Sequence, residues 1–110
     1  MVSIEPADKG TAADGSVRLV YRDGGRECGQ VVFRTEGPGA QLLQATGESA
    51  LILDALVRAA LNAADLAGAR EMVCQVPALY PALSAVGFVK SDKGMGIQIR
   101  EFFNHPCSHP

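Results

Sequence analysis

The stretch from Gln44 to Arg70 constrains this chain most, because it holds the clearest helix and the turn that leads into it. A short extended approach ends in Thr46-Gly47-Glu48-Ser49, and roughly twenty residues of helix are expected after that turn. From Leu51 to Leu66 no proline or glycine interrupts, alanine and leucine dominate, and Asp54 precedes Arg58 by one helical turn, the favourable order for an ion pair. Projected at ~100° per residue, Ile52, Leu53, Leu56, Ala60, Ala63 and Ala67 share one broad side, and Asp54, Arg58, Asn62 and Asp65 form a narrow opposite stripe. A helix so patterned is mostly buried, and the small Ala60, Ala63 and Ala67 let it lie close against a flat partner. Leu51 falls inside the polar stripe and Leu61 at its edge, which places both near solvent or against a second packing partner such as another subunit.

The flanking segments make that partner a sheet. Val2 to Pro6 alternates as a short strand, and Lys9 to Ser16 reads as a loop. Val17 to Tyr21 and Gly29 to Arg34 flank Arg22-Asp23-Gly24-Gly25-Arg26, whose Asp-Gly-Gly core suits a hairpin turn. After the turn signal Glu36-Gly37-Pro38-Gly39, Ala40 to Ala45 makes a strand that feeds the long helix. Gly68 is the expected helix stop, and Glu71 to Val76 is a nearly continuous apolar run, as a strand in a sheet interior requires. Pro81 opens a short helix, Pro81 to Ala85, closed by Gly87. Phe88 to Lys90 and Ile97 to Arg100 are the last two strands, around the hairpin signal Ser91 to Gly96. One strand-helix-strand crossover in an otherwise antiparallel sheet predicts an α+β fold. A single domain over residues 1–103 is expected, with 104–110 a flexible tail.

Composition narrows the function classes. Of 110 residues 47% are hydrophobic and 20% charged, which suits one folded domain with its own core. The net charge of -2 and the lack of a Lys/Arg run argue against nucleic acid or an anionic membrane as partner. No apolar run has transmembrane length, and Glu5, Asp8 and Lys9 near the N-terminus are unlike a signal peptide, so a cytoplasmic protein is expected.

Cys28, Cys74 and Cys107 lack CxxC spacing and do not form a disulfide framework. Cys74, in its apolar strand, reads as a core residue, and Cys28 as a passive surface thiol at the hairpin edge near Arg26. His105, Cys107 and His109 alternate in the manner of soft-metal ligands, yet a proline-broken terminal tail is expected to hold no metal. Arg22, Arg26, Glu27, Arg34 and Glu36 read as a solvated rim around the turns.

The element order, together with two local patterns, resembles the GNAT superfamily of N-acetyltransferases. Gln44-Ala45-Thr46-Gly47-Glu48-Ser49, followed by Ala50-Leu51-Ile52-Leu53, is similar to the family's Q/R-x-x-G-x-G/A loop with its trailing apolar pair. Leu83-Ser84-Ala85-Val86-Gly87-Phe88 is similar to the short helix ending in Gly-Phe before the family's last hairpin. The resemblance implies a short member without the two helices that normally separate the first and second strands, since Lys9 to Ser16 has room for neither. It also implies acetyl-CoA as cofactor, a small-molecule or peptide amine as acceptor, and direct attack of that amine on the thioester. A homodimer would supply a missing acceptor wall.

By position, Gln44, Thr46, Gly47, Ser49 and Ala50 would line the cofactor site. The physical logic stands apart from the family: a strand that turns through glycine into a helix leaves bare N–H groups at the helix's positive end, where a diphosphate finds donors and a favourable dipole. Ser49 stands where the family has Gly or Ala. Glu48 is expected in the first helical turn without a compensating cation in the loop, Arg34 and Arg58 being the nearest in sequence. Where many members carry a tyrosine that protonates the leaving thiolate, this chain has Leu83. Tyr80, one turn earlier, is the catalytic candidate, against an expectation of core or rim packing.

Overall fold

The computed structural model describes residues 1–7 and 15–100. Among them, seven strands form one sheet in the order β1-β2-β3-β4-β5-β7-β6. The strands are β1 (Val2–Pro6), β2 (Ser16–Asp23), β3 (Arg26–Glu36), β4 (Gly39–Gly47), β5 (Glu71–Cys74), β6 (Val89–Ser91) and β7 (Gly94–Gln98). Helix α1 (Ala50–Leu66) joins β4 to β5, and α2 (Tyr80–Val86) follows β5 after a turn of 3-10 helix at Pro77–Leu79. The β4–β5 pair is parallel and every other pair is antiparallel. This is the α+β architecture expected from the sequence. β1 pairs directly with β2, and residues 7–15 alone connect them.

Local chemistry explains where the elements stop. Gly24 and Gly25 take φ of 62° and 86°, the conformation that a two-residue hairpin turn demands and that residues with a Cβ resist. Ser49 caps α1, its Oγ accepting from the Ile52 amide at 3.2 Å. At the other end Gly68, with φ of 96°, donates to the Asp65 carbonyl at 3.0 Å while the Ala69 amide reaches the Ala64 carbonyl at 2.9 Å. Those two bonds form a Schellman motif and end the helix before β5 begins at Glu71.

Leu19, Val31, Phe33, Leu42 and Ala45 of the sheet meet Leu56, Val57, Ala60, Leu61 and Ala64 of α1, with Leu83 of α2 closing the same core. Burying each leucine contributes about 1.5–3 kcal/mol, so this helix face is the main anchor of the fold. The buried face is rotated from the one the sequence predicts. Leu61 is fully buried, whereas Ala63 is half-buried and Ala67 exposed. α1 packs both on β2, β3 and β4 and against α2, so its covered arc is wider than one sheet alone would make it. Leu51 is exposed, as expected, and so is Leu66.

Two further expectations are corrected. Cys28 is buried rather than a surface thiol, because the register passes from Tyr21↔Gly29 to Arg22↔Glu27 and skips it, forming a β-bulge. The last hairpin turns tightly at Asp92-Lys93, so β7 begins at Gly94 rather than Ile97 and ends at Gln98. The His105, Cys107 and His109 tail and most of the Lys9 to Ser16 loop lie outside the described residues.

Candidate functional site

The parallel strands part company near their carboxyl ends. β4 and β5 pair from Gly39↔Glu71 to Leu42↔Cys74, where β5 stops, while β4 runs on to Gly47 paired only with β3. A notch therefore opens beyond Leu42 and Cys74, at the carboxyl end of the one parallel pair among the described residues. The amino end of α1 stands over it.

Gly47 brings the helix there. A Cβ on Gly47 would lie 2.9 Å from the Leu53 amide and 3.2 Å from Ile52 Cγ2, so only glycine lets the strand turn this tightly beneath the first helical turn. The Glu48 amide still belongs to the sheet, donating to the Cys28 carbonyl at 3.0 Å, and the Ile52 amide is taken by Ser49 Oγ. The amides of Ser49, Ala50 and Leu51 have no protein acceptor among the described residues. Ser49, Ala50 and Leu51 are themselves exposed, so no side chain plugs the approach. Unpaired donors at the positive end of a seventeen-residue helix fit an anionic diphosphate.

Of the residues that the sequence assigns to this site, Ser49 and Ala50 form the helix end itself, and Thr46 and Gly47 border an open depression of about 370 Å³ on its β3 side. Glu27, Cys28, Gly29, Gln30 and Glu48 complete that depression. Gln44 is engaged elsewhere: its Oε1 accepts from Gln30 Nε2 at 2.8 Å, in a polar row that continues from Gln30 Oε1 to Arg18 Nε and from Arg18 Nη2 to Glu27.

Glu48 corrects two expectations. It lies before the Ser49 cap, so α1 has no acidic residue in its first turn. It also has a cation after all, supplied by the β2–β3 hairpin: Arg26 Nη1 and Nη2 donate to the two Glu48 carboxylate oxygens at 2.6 and 2.9 Å. This bidentate hydrogen bonding, reinforced by the Arg26 charge, holds the Glu48 carboxyl below its ordinary pKa and raises that of the guanidinium. Sequence reading placed Arg26 on a solvated rim. The register that sets Gly29 opposite Gly47 is what brings it to Glu48.

Tyr80 begins α2 and is half-buried against the core. Its hydroxyl reaches Gly94 of β7, where an added Cβ would come within 3.0 Å of it. The Cys74 carbonyl, at the end of β5, borders the same spot. Leu83, at the position of the family's tyrosine, is fully buried. The Cys74 thiol is free and buried, and burial pushes its pKa up. No cluster of potential metal ligands occurs among the described residues. No helix among them is long and apolar enough to cross a membrane.

No protein-family model matches the chain, and no curated protein does. Solved structures do. An Exiguobacterium protein provisionally described as an acetyltransferase superposes with a TM-score of 0.74 at 14% identity, over 96% of this chain and 98% of its own. PaiA N-acetyltransferase from Thermoplasma acidophilum, crystallised with coenzyme A, gives 0.65 at 15% identity, over 76% of this chain and 61% of its own. The ribosomal-protein-S18-alanine N-acetyltransferase of Escherichia coli gives 0.65 at 12% identity, over 80% and 72%. Strand order, the parted parallel pair and these superpositions agree: the chain has the fold of the GNAT N-acetyltransferases.

Proposed function

We propose that this chain binds acetyl-CoA at the amino end of α1 and transfers the acetyl group to an amine. The single observation that carries the reading is that the Ser49, Ala50 and Leu51 amides, beside the end of the β4–β5 pair, have no acceptor among the described residues. Those amides, with the helix dipole, would hold the diphosphate, leaving the pantetheine arm to run down the notch toward Leu42 and Cys74. There the β4 edge from Leu43 to Gly47, unpaired by any β5 residue, would polarise the thioester carbonyl and stabilise the charge that develops on its oxygen as the amine attacks. Acetyl-CoA supplies the activated acyl group. The chain's part is to orient it and to keep its carbonyl hydrogen-bonded.

A second reading, binding of acyl-CoA without transfer, is favoured by one observation: Leu83, at the position of the family's tyrosine, is fully buried and carries no proton to give. A two-stage titration separates the two. Amide NMR spectra recorded with increasing acetyl-CoA should move the Ser49, Ala50 and Leu51 resonances first, and release of free thiol against a panel of amines then reports transfer. Shifts without thiol release support the binder, and an unmoved helix end contradicts both.

A further inference from the structure

We infer that the Arg26–Glu48 ion pair is a displaceable latch on the phosphate site, with Arg26 exchanging its own carboxylate for a phosphate of the ligand. The inference rests on the acyl-CoA reading and adds to it a specificity-determining residue and an autoinhibitory contact. Glu48 immediately precedes the Ser49 cap, so a carboxylate stands one residue from the three open amides, in the place where a negative ligand would otherwise be welcomed. Its neutralising partner comes from a separate element, twenty-two residues away in sequence, and reaches it with both guanidinium nitrogens.

The pair is well exposed, with side chains 65% and 49% accessible, so water and salt compete for it and neither partner is committed by burial. Glu48 also borders the open depression with Thr46 and Gly47, so the rim beside the exposed Arg26 side chain is open to solvent. A guanidinium matches phosphate as well as it matches carboxylate, in the same two-pronged geometry. With Arg26 on the phosphate, Glu48 is released into solvent. While the latch is closed, the site presents no net charge to an arriving anion. Discrimination then lies between ligands that carry phosphate and ligands that carry only the thiol arm.

The test is calorimetric titration of coenzyme A, and in parallel of pantetheine, which has no phosphate, into wild type, Glu48→Gln, Arg26→Gln and the double variant at low ionic strength. Melting of each variant without ligand checks that it is folded. The latch predicts opposite signs. Glu48→Gln should tighten coenzyme A by about two- to fivefold and Arg26→Gln should weaken it by about as much, as expected for one charge near a helix end. Pantetheine should not respond to either change. Binding to Glu48→Gln alone, with none to wild type, would support the latch in its strongest form. Equal affinity across the variants, or weakening by both single changes, would overturn the latch while leaving the acyl-CoA reading intact. Absence of binding to wild type and Glu48→Gln alike would overturn that reading, and the latch with it.

Discussion

Gly29 of β3 and Gly47 of β4 stand opposite each other in the register, and neither has room for a side chain. A Cβ on Gly29 would meet the Thr46 carbonyl oxygen at 2.5 Å and Leu56 Cδ1 at 3.0 Å, and one on Gly47 would meet the Leu53 backbone. The two bare positions let α1 settle onto the sheet with its amino end over the notch. Gly47→Ala and Gly29→Ala should each cost about 1–3 kcal/mol of unfolding free energy, the usual penalty for overpacking. Urea denaturation measures this, and wild-type stability in both variants would contradict the close approach.

Leu61 and Leu51 separate the buried arc of α1 from its exposed one. Leu61→Ala should destabilise by about 2–5 kcal/mol, because the side chain is fully buried. Leu51, 79% exposed, should tolerate alanine to within about 0.5 kcal/mol. Chemical denaturation of the pair checks the rotation of the helix face, and the reverse order would contradict it.

Much of this fold is legible in the chain because turn chemistry is local. Gly24-Gly25, Gly68 and Gly87 mark element ends by the backbone they permit, and Ser49 marks a helix start by what its hydroxyl accepts. The apolar face of α1 is harder to read, because the helix packs against α2 as well as the sheet, and the position of α2 depends on the whole sheet. Cys28 was misplaced because a bulge leaves no signature in residue types. The site is legible as a glycine turn into a helix. Arg26 is not, since its meeting with Glu48 follows from strand register and a hairpin's reach, which no spacing along the chain encodes.

The ion pair at that meeting gives a pH signature. The hydrogen bonds from Arg26 depress the Glu48 carboxyl, so the folded protein binds that proton less readily than the unfolded chain does. Its contribution to stability is then present above the unfolded carboxylate pKa and disappears as pH falls through the lower folded value. In a carboxyl-carbon NMR titration, the Glu48 midpoint should lie below that of an ordinary glutamate and return toward it in Arg26→Gln. A midpoint unmoved by that substitution would contradict the pairing.

Burial raises the Cys74 thiol pKa and shields its sulfur at once. Cys74 should therefore resist a thiol-specific reagent at neutral pH in the native protein and react promptly once urea unfolds it. Mass mapping of the modified peptides reads the difference, and labelling of native Cys74 at the unfolded rate would contradict its place in the core.

Ser49 offers the most direct test of the proposed cofactor site, because its cap and its neighbouring amides can be separated by substitution. Aspartate caps a helix about as well as serine, whereas alanine gives up about 0.5–2 kcal/mol, so Ser49→Asp should stay folded while setting a fixed negative charge at the phosphate position. Thermal melting with acetyl-CoA at about a hundred times its dissociation constant should stabilise wild type by roughly 2.7 kcal/mol and Ser49→Asp by less. An unshifted wild type, or a full shift that survives in Ser49→Asp, would contradict cofactor binding at the head of α1.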